Sequence, residues 1–370
     1  MGSIAERTMK ETLAQLAVNK CLRIRPEDNV AVFFNPHFTK LAEDIAVECF
    51  RNGADVLLNA WTDRYHLAEL TYLSVESLRQ PSVWCRQLSL NATAEFFLGG
   101  VYDPSIFKKM SPEKLAANDE GESASHEPYS TKRKVRTLGI GVGLVTRPRA
   151  KTYRFSFRSW ERMMVAASNV NLDEIAKKAS EIVEKIGSAE RIRLTAPAGT
   201  DLEFSVEDRK LRVNDGIVDE KDIASGALNA SIPAGAVETT IVEDSANGRL
   251  VLDVPAPWAG RTIHRVEWTF QDGRIIAFEG DKNALELRRQ WEAASGDKNR
   301  ISMLTIGLNT KAKFGYTINE LVEGGVAVGI GGNEDLGGKN RRGFYYSGSV
   351  SKASLIVDGK TLVNRGKLAI

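Results

Sequence analysis

The side chains best suited to chemistry lie late in the chain. Residues 326–339 read VAVGIGGNEDLGGK, and Lys339, Arg341 and Arg342 place positive charge at and just beyond the end of that run. Successive backbone N–H groups in a glycine-rich loop can hold an anion. Tyr345, Tyr346 and Ser347 follow and supply hydroxyls. The pattern predicts a place for a small carboxylate, held by Lys339 or Arg341, with a tyrosine as acid or base. The competing reading is a structural crossover with exposed charges. Upstream, residues 233–248 read PAGAVETTIVEDSANG and offer Glu238, Glu243 and Asp244. Adjacent residues on a strand point to opposite faces, so Glu243 and Asp244 are not a facing pair. Solvated turn positions are the expectation for these acids.

Imidazole is scarce. The chain holds four histidines, His37, His66, His126 and His264, and none stands in an H-E-x-x-H or H-x-D pattern. A zinc or iron site ordinarily needs histidine, cysteine or clustered carboxylates at workable spacing. His264, in the strand-like RTIHRVEWTF, is either a structural residue or a catalytic candidate. His37 follows the apolar run NVAVFF and precedes a helix, which puts it where ligands gather at the carboxyl edge of parallel strands. It is either a local packing residue or a substrate contact. No G-x-G-x-x-G or phosphate-loop pattern is present, and no cofactor is expected. Cys21, Cys49 and Cys85 are odd in number and widely spaced, which predicts reduced thiols and a cytoplasmic setting.

These groups must be carried by regular elements. Residues 29–34 read as a buried strand and 38–51 as a helix stopped by Asn52-Gly53, with another strand at 55–59. Strand, helix and strand at this spacing make a parallel βαβ unit. A first helix runs to about Val18, short helices fall at 101–110 and 112–117, and the polar stretch 118–131 reads as a loop. Residues 132–162 carry ten basic residues against the single acid Glu161. That run is read as a solvated face or linker, or else as a site for an anionic ligand. Tyr153, Phe155, Phe157 and Trp160 interleave with it in the manner of core packing. A long amphipathic stretch at 159–186 breaks near Asn169–Asn171. Beyond Gly187 strands dominate, with hairpin signals at Asp272-Gly273 and Asp358-Gly359.

With 370 residues, 42% of them hydrophobic, the chain supports two domains, at 1–186 and 187–370. The fold class expected is an N-terminal open, mostly parallel α/β domain followed by a strand-rich mixed α+β domain. A net charge of +2 gives no basis for nucleic-acid binding, and no apolar run nears the ~20 residues of a membrane span. Met1-Gly2-Ser3 does not read as a lipidation signal.

Several C-terminal segments, in order and spacing, resemble the M29 aminopeptidase family (aminopeptidase T, leucyl aminopeptidase-like) and the related 2,5-dihydroxypyridine 5,6-dioxygenases. They are Gly199-Thr-Asp-Leu, Pro233-Ala-Gly, Glu243-Asp-Ser-Ala-Asn-Gly, Asp272-Gly, Ile301 to Asn309, Gly331 to Gly338 and Val357-Asp-Gly. The resemblance implies a homodimer with a C-terminal metal site. Ala236 stands at the position of the peptidases' first glutamate ligand. Met303 stands where the peptidases have glutamate and the dioxygenases histidine, and Tyr345 and Ser347 where both have His-x-Asp. The remaining ligand positions find Val326 or Ala327, and Glu334. A thioether, a phenol and a hydroxyl do not make a hard-metal site. The leading expectation is therefore a metal-independent, hydrolase-like enzyme acting on a small, anionic substrate, with Met303 lining the cleft. A metalloenzyme with relocated ligands and a non-catalytic binding protein are the alternatives.

Overall fold

In a computed structural model of the chain, residues 12–187 and 189–370 are described, apart from the side chains of residues 126–131 and 335. The expectations for Gly2, for the start of the first helix and for the side chain of His126 lie outside these residues. The strand Asn29–Phe34 buries five apolar residues in succession, as a strand covered on both faces must. It pairs in parallel with Asp55–Ala60 on one side and Ala94–Leu98 on the other. The helix Thr39–Arg51 makes the first crossover and buries Ala42, Ile45, Ala46 and Cys49. Gly53, at φ +83°, turns the chain back. Arg136–Ile140 and Asn229–Ile232 complete a five-stranded parallel sheet, ordered 55–60, 29–34, 94–98, 136–140, 229–232. Its last strand comes from well beyond Gly187. The second strand lies to one side of the first and the third to the other. The crevice between the carboxyl ends of 29–34 and 94–98 is thus the topological switch point.

Two large antiparallel sheets and a two-stranded one, Ala256–Trp258 with Arg261–Ile263, follow. The larger runs 274–280, 266–271, 247–252, 201–204, 192–195, 354–357, 360–364, 367–368. The smaller runs Tyr345–Val350, Val326–Gly331, Ile301–Gly307, Ala236–Thr240, Leu211–Asn214. Their facing residues, with the inner side of helix Leu172–Ile186, build one apolar core that includes Trp268, Leu250, Leu304 and Val328. The result is the mixed α/β architecture expected, with a parallel sheet first and strand-rich layers after it.

Two expectations are corrected here. Residues 118–131 are not a loop but belong to the helix Pro112–Arg133. Polar contacts hold it rather than an apolar stripe: Gln290 Nε2 donates to Asp119 (2.8 Å), Arg79 Nε to Glu120 (3.1 Å), and the Ser295 N–H to Glu120 (2.8 Å). The basic run 132–162 is not simply solvated. Arg136 is buried against Asp28 and the Leu22 carbonyl, and Arg149 is buried and donates to the Val101 carbonyl. The aromatic residues of that run pack as expected, with Phe155 edge-on to Trp160 at 5.1 Å.

Candidate functional site

The smaller antiparallel sheet has two unlike faces, and strand alternation sorts every candidate between them. One face carries Val237, Leu304, Ile306, Val326, Val328, Ile330, Tyr346 and Val350 into the common core. The other carries Ala236, Glu238 and Thr240, then Met303 and Thr305, then Ala327 and Gly329, then Tyr345, Ser347 and Ser349. Register aligns them in rows: Met303 lies opposite Thr240 and Gly329, and Gly329 opposite Ser347. In the next row Thr305 lies opposite Glu238, which lies opposite Arg212.

Met303, Tyr345 and Ser347 are therefore brought together, with Ala236 on the same face. The Tyr345 ring folds back over Gly329, where an added Cβ would lie 2.9 Å from its hydroxyl and would push the ring aside. Tyr346 is set apart from this face. It is 2% exposed, with its ring 5.0 Å from Trp258 and 5.8 Å from Trp268, and burial pushes its phenol further up. It is a core residue, not a second hydroxyl of the cleft.

The other sequence candidates lie elsewhere. His264 is exposed, in the break between strands Arg261–Ile263 and Val266–Gln271, and its backbone N–H donates to Asp281 (2.7 Å). Arg341 donates from its backbone N–H (2.8 Å) and its Nε (3.3 Å) to Asp297. The Lys339 N–H donates to Glu243 Oε1 (2.7 Å), as does Asn333 Nδ2 (3.3 Å), while Arg209 pairs with Oε2. The glycine-rich loop thus holds a carboxylate, as its backbone predicts, but the carboxylate is the chain's own. Glu243 is accordingly an anchored residue rather than a solvated turn acid.

His37 sits at the switch point, and the chain itself fills that crevice. Its Nδ1 meets Asn35 Oδ1 (2.8 Å), its Nε2 faces the Gly143 carbonyl (3.4 Å), and its ring stacks edge-on to Tyr102 at 4.8 Å. Asn35 Nδ2 in turn donates to Asp63 (2.9 Å), which also accepts the N–H groups of Tyr102 (2.6 Å) and Asp103 (2.8 Å). Burial, aided by the Arg149 cation, holds the His37 pKa below the usual histidine value.

Two acids belong to the outer face: Glu238, which the sequence offers only as a solvated turn position but which lies within strand Ala236–Thr240, and Glu320, which it does not single out. Glu238 alternates with Val237 and Thr239, a period that a strand assignment would have exposed. Glu320 stands in the 3₁₀ turn Asn319–Leu321, for which the sequence gives no signal. That turn packs so closely that a Cβ at Gly307 would strike the Val322 carbonyl. Asn319 fixes it, donating to the Pro255 carbonyl (2.9 Å) and accepting from the Gly315 N–H (2.8 Å). Burial pushes both carboxyls up, Glu320 to about 7 with Glu238 adding to its rise, while Arg212 works against the rise of Glu238.

Fold and face together define a protein built like the two-part metallopeptidases that the sequence resembles. The family model described as thermophilic metalloprotease (M29) matches residues 7–299, well over half of the chain, and the chain belongs to that family. The structure is similar to wild-type AmpT from Thermus thermophilus, with TM-score 0.74 and 16% identity over 97% of this chain and 98% of that one. It is also similar to 2,5-dihydroxypyridine dioxygenase from Pseudomonas putida KT2440, with TM-score 0.59 and 17% identity over 94% and 93% of the two chains. No curated protein matches the sequence. The family match ends at residue 299, just before Met303, Tyr345 and Ser347.

The family description implies a metal, and the residues present do not fit one. Ala236 is fully buried in an apolar cluster with Trp160, Met164, Ile318 and Leu321. Met303 presents a thioether and Ala327 a methyl group, while Glu334 is exposed beside Arg342. Among the described residues no group of three or more His, Cys, Asp or Glu side chains could hold a metal ion.

Proposed function

We propose that this chain is a metal-independent, hydrolase-like member of the M29 family. The outer face of the smaller sheet is its substrate site, for a small molecule bearing an amide or a related bond. One observation carries the reading. Four of the positions that resemble the family's metal ligands, Ala236, Met303, Tyr345 and Ser347, lie on this face, and they hold an apolar methyl, a thioether, a phenol and a hydroxyl. Such a donor set has no claim on a hard divalent ion. Tyr345 and Ser347 remain as polar groups that can orient a substrate. Arg341 is not offered as the anchor for a substrate carboxylate, because its guanidinium faces Asp297 (3.3 Å), and Lys339 lies on the loop whose backbone N–H holds Glu243. The three cysteines, none of them in a disulfide, support the cytoplasmic setting. A homodimer belongs to the same reading, and light scattering on the purified chain tests it.

Turnover tests the proposal directly. A panel of aminoacyl anilides, dipeptides and N-acyl amino acids is assayed with excess chelator and again with added zinc, manganese or ferrous iron. The expected result is hydrolysis of some member at an equal rate in all conditions. Activity that appears only with added metal would sink the reading.

A further inference from the structure

We propose that Glu238 and Glu320 are the acid–base pair of this site, a two-carboxylate device standing where the family's fold would hold metal. The inference rests on the substrate face proposed above and adds the groups that move protons.

The geometry comes first. Glu238 projects from the middle of the central strand Ala236–Thr240, on the same side as Met303, Tyr345 and Ser347. Its row continues through Thr305, buried at 2% exposure, and ends on Arg212. Glu320 is delivered to that side by a turn clamped through Asn319 and pressed onto Gly307, the residue opposite Ala236. Both residues are partly exposed. Two donors near this end of the face are unsatisfied. The Trp160 indole N–H, in the cluster that encloses Ala236 and Leu321, and the Thr317 hydroxyl are buried without a hydrogen-bond partner.

Chemistry follows from the pairing. Two carboxyls close enough to repel one another, both removed from bulk water, do not ionise together, so near neutrality the pair holds one proton. That is the arrangement with which carboxylate dyads hydrolyse amides without metal. The ionised member takes a proton from water as the water oxygen bonds to the substrate carbonyl carbon. The protonated member gives its proton to the departing nitrogen as the C–N bond breaks. One water is consumed, one acid and one amine are released, and the pair is left with one proton. Arg212, at the far end of the Glu238 row, favours ionisation of Glu238 and makes it the base.

The test has a part that needs no substrate. In protein labelled with ¹³C at the glutamate carboxyls, the resonance that Glu320→Gln removes should titrate with a midpoint near 7, apart from that of Glu95, which burial also raises to about 7, and Glu238→Gln should move the Glu320 midpoint down toward the ordinary glutamate value. No Glu320 resonance titrating in that range, or a midpoint unmoved by Glu238→Gln, overturns the pair. The second part uses the amide panel with chelator present. Glu238→Gln and Glu320→Gln should each lower kcat by about 10²-fold or more, with KM changed little. The wild-type profile should show a limb near the same midpoint. No turnover of any panel member, or full activity in either variant, overturns the catalytic role. A metal requirement in the wild type would overturn the metal-independent reading alone, and the titration would still decide the pair.

Discussion

The crevice at the carboxyl edge of the parallel sheet and the outer face of the smaller antiparallel sheet both collect polar residues, and they differ in how those residues are satisfied. In the crevice, His37 is held by Asn35 and Gly143, and Asp63 accepts three hydrogen bonds. Nε of Arg149 is buried there without a hydrogen-bond partner. On the sheet face, Glu238 and Glu320 are both drawn away from water, which raises the cost of ionising each, and the Glu238 charge adds to that cost at Glu320. A polar cluster that closes on itself builds structure. One that leaves its acids poorly stabilised is available for proton transfer. The position favoured by topology is thus the structural one here, and the position implied by the family's fold keeps its place while its donors have changed.

The largest expected effect lies at Ala236. Ala236→Glu puts a carboxylate into the apolar cluster of Trp160, Met164 and Leu321. We expect a loss of about 4 kcal/mol in urea unfolding, not recovered by added zinc. Recovery with metal would mean that the family's site persists. Asp63→Ala comes next. It strands the Asn35 amide and the Tyr102 and Asp103 N–H groups, and should cost about 3 kcal/mol while leaving the sheet face intact. An effect on turnover larger than on stability would bring the crevice back as a functional region.

The smallest effect has the opposite sign. The Glu320 pKa is raised from 4.5 to about 7 by folding, so the folded state holds its proton more tightly than the unfolded chain. The associated stability is present below 4.5 and is lost as pH rises through about 7. Glu320→Gln keeps the neutral form at every pH. It should leave stability unchanged at low pH and raise it by about 2 kcal/mol above neutrality. A variant that is less stable at high pH would show that the Glu320 carboxylate makes a stabilising contact, which would weaken the contrast between the two regions.

Much of the scaffold is legible in the sequence because local pattern and burial agree. The apolar run 29–34, the helix after it and the break at Asn169–Asn171 all follow from periodicity. Asp272-Gly273 and Asp358-Gly359 turn with positive φ, as their residue types require. The helix 112–133 is not legible, because cross-contacts to Gln290, Arg79 and Ser295 hold it. Within the site, the likeness to the family located Ala236, Met303, Tyr345 and Ser347, and strand alternation then separates Tyr345 from Tyr346. Lys339 and Arg341 mislead because their partners, Glu243 and Asp297, lie 96 and 44 residues away. Glu320 is hidden for the same reason, since its burial beside Glu238 is set by a turn folding back across the sheet.

Metal content tests the central claim most directly. The purified chain is equilibrated with zinc, manganese, cobalt and ferrous iron, dialysed, and measured by elemental analysis alongside its thermal unfolding midpoint. The account predicts less than about one ion per ten chains and an unchanged midpoint, since a resident metal would add its binding energy to the folded state. One or two tightly held ions per chain, with a raised midpoint, would contradict it.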